Sequence, residues 1–331
     1  MLPPVRVDGG ERMKERRNVR IVYGKEGGTH QTESWPDDAE SLWVDVGPDD
    51  RDRLNDILQR LYPAHPAVVE KMLNARDRSP SLIVEPQAVV CTVRDTNEAE
   101  PGLRAESVGL FLGRAFLVTT HLDGPNVWLD EAFEQIVRDQ SLVRTPDMAL
   151  YRYLTRHLSG YHRCLAEISR EYEKIHGMML RHPYHNLSHQ ILALRRRTMA
   201  LWRATRPEQE VFKLLASENF PYLEDDNRLF FVDLADRMQE VVNDLDDYRG
   251  GLAEAVEAYS SLQSNEINKV MRVLTVITVL ALPATTIASI YGMNFYIPEV
   301  HWRFGYYYSL LLMAVATGLV LIYMKHRANS R

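Results

Sequence analysis

The sequence predicts a mixed α/β domain that passes through one long helix into two C-terminal membrane-spanning helices. Three observations predict it. Short strand-like and helical runs alternate over residues 20–140, a proline-free stretch extends from Asn227 to Leu282, and two runs near the C-terminus are apolar and long enough to cross a bilayer. The remaining four-fifths or so of the chain is hydrophilic, and a formal net charge of −6 with a negative mean hydropathy fits a large cytosolic domain with a small membrane anchor. A polytopic protein of many spans is thereby excluded.

Taken in chain order, residues 1–19 are rich in charge, lack the apolar core of a signal peptide and are expected to form a flexible N-terminus. The α/β domain is expected over 20–145. Val19–Tyr23, Ser41–Val46, Leu82–Val84, Ala88–Val93, Ser107–Phe111 and Ala115–Thr119 have the composition of strands, while Pro48–Leu61, Ala67–Asn74 and Pro125–Asp139 carry helical periodicity. Asp45 stands at a strand end, where capping the following helix is expected ahead of a ligand role. The chain has no Gly-rich phosphate loop, metalloprotease motif or nucleophile elbow, so neither an enzyme nor an organic cofactor is expected. No basic stripe interleaved with aromatics appears, which sets nucleic acid aside as a partner. Cys91 and Cys164 are too few for a disulfide framework and suit a reducing cytosol.

A helical region is expected over 146–226, with helices at 146–181 and 186–218 joined near Pro183. Their charges are mixed, Glu167, Glu171 and Glu173 standing beside Arg152, Arg156 and Arg195–Arg197. His182, His185 and His189 lie at the join with spacings of three and four. Three imidazoles suit zinc or nickel better than magnesium. Without an identified supporting carboxylate, a solvated helix tip is the expectation.

The stalk helix is expected over 227–269, running into a first span at 270–293, an extracytoplasmic loop at 294–303, a second span at 304–324 and a basic cytosolic tail at 325–331. As one rod of about 65 residues it would be roughly 100 Å long, with Gly250-Gly251 as its weak point. The apolar runs Val270–Tyr291 and Phe304–Met324 would each reach roughly 31 to 33 Å as helices, matching a hydrocarbon core of about 30 Å. The alternative is a buried hydrophobic hairpin in a soluble protein. Arg272 snorkels outward at the cytoplasmic end. Lys269 and Arg272 precede the first span and Lys325, His326, Arg327 and Arg331 follow the second, whereas the loop holds Arg303 balanced by Glu299. By the positive-inside rule both termini face the cytoplasm of a two-span protein in the cell (inner) membrane.

Two stripes run along the stalk. Leu234, Met238, Val241, Leu245, Tyr248, Leu252, Ala255, Tyr259 and Leu262 form an apolar seam of a supercoiled or bundle helix. Asp233, Asp236, Glu240, Asn243, Asp247, Gly250, Glu254, Glu257, Ser261, Ser264 and Asn268 form a polar one, continued in the membrane by Met271, Thr275, Thr278, Leu282, Thr285, Ser289 and Gly292. Either the hydroxyls bond their own backbone and the acids form a solvated face, or several copies of the helix surround an ion path. The stripe's end at Asn294 favours the second, and because one helix encloses nothing, a path requires an oligomer.

Residues 290–295 read Ile-Tyr-Gly-Met-Asn-Phe, with Pro298-Glu299 following inside the loop. Gly292 lets backbones approach closely, and Asn294 offers a neutral amide oxygen as a hydrogen-bond acceptor. A helix C-cap is the bland alternative. Tyr291-Gly292-Met293-Asn294 between two C-terminal spans resembles the signature of the CorA family of divalent-cation channels. Trp43-Val44-Asp45-Val46, His65-Pro66 with Leu73-Asn74, and Phe116–Thr119 also resemble that family's cytosolic domain, so the likeness is nearly full-length.

The resemblance implies a pentameric CorA-like channel, a homopentamer with the first span inside and the second against the lipid bilayer. It implies a selectivity filter of Gly292, Met293 and Asn294, polar pore rings at Asn268 and Thr285, and apolar constrictions at Met271, Leu274 and Leu282 that gate by dewetting, while the stripe itself adds Thr275, Thr278 and Ser289 to the pore lining. Glu299 would concentrate cations and Glu257 would form an acidic ring in the stalk. Asp233 would share a regulatory Mg²⁺ with a neighbouring subunit's α/β domain, through Asp95 or Glu98. Mg²⁺ is then both cargo and regulator. The family's helices before the stalk tend to be strongly acidic, and the mixed charges here depart from that. Two alternatives stand: a carrier of zinc or another transition metal, as in the ZntB-like branch, which usually has a different residue where Met293 stands, and a non-conducting sensor or scaffold of the same fold.

Overall fold

Every residue of β3 (Ser41–Val46) is buried, a pattern that belongs to a strand covered on both faces. The computed structural model describes residues 19–25, 28–32, 34–36, 38–73, 80–96, 105–121, 124, 126–139, 145–181, 187–217, 220–294, 298 and 302–329. They form β1 (Val19–Lys25), β2 (Gly28–Thr32), β3, α1 (Arg51–Leu61), α2 (Pro66–Leu73), β4 (Ser81–Val84), β5 (Ala88–Thr96), β6 (Ala105–Gly113), β7 (Phe116–Thr120), α3 (Val127–Arg138), α4 (Pro146–Arg181), α5 (Ser188–Leu215), α6 (Arg228–Tyr291) and α7 (Gly305–Asn329). The chain divides into two compact units, Met1–Val256 and Glu257–Arg331.

The first unit is built on a seven-stranded sheet of order β2-β1-β3-β7-β6-β5-β4. β3 and β7 are parallel and the other pairs antiparallel. On one face Leu42, Val44 and Val46 join Leu54 and Leu58 of α1 and Val69 of α2 in a single core. The alternate residues of β3 point the other way, where the wholly buried Trp43 meets Phe133 of α3 at 5.1 Å. Asn126 caps α3 by accepting from the Leu129 N–H at 2.9 Å. Pro48–Asp50 is a 3-10 turn, so the helix expected from Pro48 begins at Arg51.

Two buried polar hubs fix α4. At its start, Asp147 accepts from the Glu224 N–H at 2.9 Å and from Asn227 Nδ2 at 3.1 Å, tying α4 to the approach of α6. Further along, His157 lies 2.7 Å from the Glu208 carboxylate of α5, while the Tyr161 hydroxyl is 2.5 Å from both Glu208 and the Arg94 carbonyl of β5. Sheet and helices are thereby cross-linked without an exposed charge.

The apolar seam of α6 is covered by the chain's own helices. Leu234, Met238, Val241, Leu245 and Leu252 are all 0% exposed, and Tyr248 meets Tyr172 of α4 edge-on at 5.8 Å. The helix passes unbroken through Gly250-Gly251 and Pro283. In the second unit α6 and α7 are both long and apolar enough to cross a membrane. Much of their apolar surface is exposed, Val270, Ile277, Leu311 and Ile322 among it, as helices that meet lipid or other copies require. α7 continues beyond the expected end of the second span to Asn329, so Lys325 and His326 are helical.

Candidate ion pathway

Within the second unit α6 has two unlike faces. Val276, Leu280, Pro283, Ala284, Ile287 and Tyr291 are half-buried, at the three- and four-residue steps of one helical stripe. On α7 the matching stripe is Gly305, Ser309, Met313, Thr317, Val320 and Met324, so these are the faces the two helices turn toward each other. Met271, Leu274, Thr275, Thr278, Leu282, Thr285, Ser289 and Gly292 are exposed on α6. At about 100° per residue their stripe is centred opposite the α7-facing one. The polar stripe foreseen in the sequence therefore points away from α7.

Its hydroxyls have a definite polarity. Thr275 donates to the Met271 carbonyl at 2.7 Å, Thr278 to Leu274 at 2.9 Å, and Thr285 to Ala281 at 3.1 Å. With the hydrogen turned back onto the helix, only oxygen lone pairs face outward. Such a surface accepts hydrogen bonds from water and suits a cation that keeps its shell, because the outer hydrogens of that shell must be accepted. The backbone bonding weighed in the sequence as the bland reading is present, and it leaves the acceptor surface intact.

At the end of α6 the Gly292 N–H bonds the Ala288 carbonyl at 2.9 Å and the Met293 N–H bonds Ile290 at 3.2 Å. Neither Gly292 nor Asn294 has the left-handed backbone of a glycine C-cap. A Cβ on Gly292 would lie 3.3 Å from the Ala288 carbonyl, a tight fit. Gly292, Met293 and Asn294 are all exposed, as is Asn268 near the other end of the stripe.

In the first unit the acidic face of α6 is exposed opposite its buried seam, from Asp233 through Asp247 to Glu254, and Glu257 is exposed at the start of the second. Asp233 pairs with Arg237 one turn on, at 3.8 Å, and remains 59% exposed. Asp95 lies in β5 opposite Glu106, and its side chain is outside the described set. Glu98, Glu299, His182 and His185 also lie outside the described residues, and His189 is exposed on the first turn of α5. Among the described residues no three His, Cys, Asp or Glu side chains converge as a metal site.

Asp45 corrects a sequence expectation. It is buried in β3 and caps nothing. Arg20 donates to its Oδ2 through Nε at 3.0 Å and Nη2 at 2.5 Å, Thr119 donates to its Oδ1 at 2.7 Å, and His121 Nε2 stands 3.4 Å away. Burial raises the pKa of this carboxyl, but His121, Arg20 and Thr119 outweigh burial and hold it below the usual carboxylate range. Burial likewise lowers the pKa of His121, while Asp45 and the Gly124 carbonyl on Nδ1 at 2.6 Å carry it above the usual value. The partners come from β1, β7 and the turn after β7, separations that no local reading of Asp45 sees. The available signal was a charge inside an otherwise apolar run, Leu42-Trp43-Val44-Asp45-Val46.

The model of the family described as CorA-like Mg²⁺ transporter protein matches residues 38–326. The cobalt/magnesium transport protein CorA of Thermotoga maritima is 27% identical over 300 residues, covering 88% of this chain and 84% of that protein. Among solved structures, the complete CorA magnesium transporter of Methanocaldococcus jannaschii superposes with a TM-score of 0.79 at 18% identity, covering 94% of this chain and 98% of that one. The cytoplasmic domain of ZntB from Vibrio parahaemolyticus gives a TM-score of 0.62 at 13% identity, covering 76% of this chain and 99% of that one. At these identities the structural likenesses speak to fold alone.

Proposed function

This chain belongs to the CorA-like Mg²⁺ transporter family, and on that premise we propose that it forms a homopentameric channel through which Mg²⁺ enters the cytoplasm across the inner membrane. It is a divalent metal-ion transporter of that family and not an enzyme. The observation that carries the finer reading is the exposed polar stripe of α6, set opposite α7 and ending at Gly292-Met293-Asn294. Five such helices with α7 outside would line a path with outward lone pairs of Thr275, Thr278 and Thr285. Asn268 and Ser289 extend the polar lining, and Met271, Leu274 and Leu282 supply apolar constrictions that close by dewetting.

Asn294, with Gly292 and Met293, forms the outer ring that recognises the hydrated ion, and Glu299 adds charge beside it. Glu257 draws cations at the inner end. Asp233 shares a regulatory Mg²⁺ with Asp95 or Glu98 of a neighbouring copy, an occupancy that holds the ring shut. Both termini are cytosolic. Entry needs no ATP, since a divalent ion gains about 4.6 kcal/mol per 100 mV of inside-negative potential.

The experiment is ion flux into proteoliposomes with Mg²⁺, Co²⁺, Ni²⁺ and Zn²⁺ in parallel. Uptake of Mg²⁺ driven by potential alone supports the reading. Uptake of Zn²⁺ without Mg²⁺ would transfer the protein to transition-metal transport, and no flux from assembled protein would leave a sensor or scaffold.

A further inference from the structure

Glycine is the least favourable residue after proline in a helix interior, yet two stand together in α6. At Gly250 an added Cβ would meet nothing within 4 Å, so space does not demand glycine there. At Gly251 a Cβ would lie 2.7 Å from the Tyr172 hydroxyl and 3.1 Å from its Cζ, so the Tyr172 ring of α4 rests on bare backbone. The ring is held in place, edge-on to Tyr248 at 5.8 Å and stacked on His176 at 6.2 Å. Both flanks are fastened. Leu245 and Leu252 are 0% exposed, and the Arg249 guanidinium lies 4.4 Å over the Trp202 ring of α5. The pair falls in the last turns of α6 before the first unit ends at Val256.

We propose that Gly250-Gly251 is a hinge in α6, with Tyr172 as the bearing over which its backbone rocks, and that it transmits changes in the cytosolic unit to the helix that becomes the first span. The proposal rests on the reading of α6 as the pore-lining helix. A bend needs backbone freedom at one point and fixed packing around it, and this site has both. The hydroxyl end of the Tyr172 ring against a glycine gives contact without interlocking side chains, so a small rotation breaks no knob-into-hole pairing. The exposed position of Gly250 leaves room on the outer side for the bend to open.

The test is hydrogen exchange on the full-length protein in nanodiscs, with and without Mg²⁺, beside the flux assay. Wild-type amides just after the glycine pair should exchange faster than those near Val241, and Gly250→Ala, which meets no neighbour, should slow them by about fivefold. Mg²⁺ flux through the assembled Gly250→Ala protein should fall. Gly251→Ala combined with Tyr172→Phe, which removes the obstructing hydroxyl, should behave alike. Protected amides at the pair in both conditions, or unchanged flux in both stiffened proteins, would overturn the hinge. If the wild type moves no divalent ion the channel reading fails instead, and the exchange contrast between wild type and Gly250→Ala still decides the hinge.

Discussion

Thr285 places its hydroxyl 3.1 Å from the carbonyl oxygen of Ala281, donating its hydrogen to the helix and keeping its lone pairs toward the exposed side of α6. If those lone pairs accept from the shell of a passing ion, Thr285→Val keeps shape and helix but removes the acceptor. One hydrogen bond is worth about 1 kcal/mol, so Mg²⁺ flux should fall by about fivefold while Thr285→Ser stays near wild type. Stopped-flow uptake into proteoliposomes measures both. Equal rates for Val and Ser would show that the hydroxyls serve the helix alone.

The Asp45–His121 pair predicts a pH dependence of stability. The raised pKa of His121 means its contribution is present in full below its unfolded value of about 6.5 and is lost as pH rises through the folded value. The lowered pKa of Asp45 means its contribution is present above about 3.9 and is lost as pH falls through the folded value. Thermal unfolding of the detergent-solubilised protein should therefore show wild type exceeding His121→Gln most between about pH 4 and 6.5, by roughly 1–3 kcal/mol. The gap should close on the alkaline side. A gap independent of pH would mean the histidine only fills space.

Assembly is predicted from the exposed stripe of α6 and not from its apolar seam, which is buried from Leu234 to Leu252 with Tyr248 against Tyr172 of α4. Mass measurement in detergent should give five copies. A stable monomer or dimer would remove the enclosure that the lining residues need.

Asp233 is the proposed regulatory ligand. Replacing it with lysine beside Arg237 puts positive charge where a cation should sit, and loss of one charge-assisted contact corresponds to about tenfold or more in affinity. Asp233→Lys should raise the internal Mg²⁺ needed for half-inhibition of flux by at least that factor. An unchanged dose response would place the regulatory site elsewhere.

How much of this was legible depended on whether the cause was local. Pro146 and Pro183 punctuate α4, so its observed span Pro146–Arg181 matches the sequence reading. The polar stripe of α6 was legible because helical periodicity alone fixes which residues share a face. β2 was missed because Gly-Thr-His-Gln-Thr has no apolar alternation, and what makes it a strand is antiparallel pairing with β1. Asp45 was misassigned for a related reason, since its partners come from three other places in the chain. The bearing at Gly251 was likewise invisible, because Tyr172 meets it only through the packing of α4 on α6.

The most direct test of the central claim, that the exposed face of α6 conducts hydrated Mg²⁺ to or from a ring at Asn294, is Mg²⁺ flux through assembled Asn294→Ala protein. Asn294 is exposed beyond the end of α6 and belongs to no buried core, so the substitution should leave oligomer mass and thermal stability unchanged. Alanine removes the amide oxygen that orients the ion's water, an acceptor strong enough to hold the shell and weak enough to release it. The account predicts that Mg²⁺ uptake is abolished, with Asn294→Asp still binding divalent ions but with altered selectivity. Wild-type Mg²⁺ flux through Asn294→Ala would contradict it.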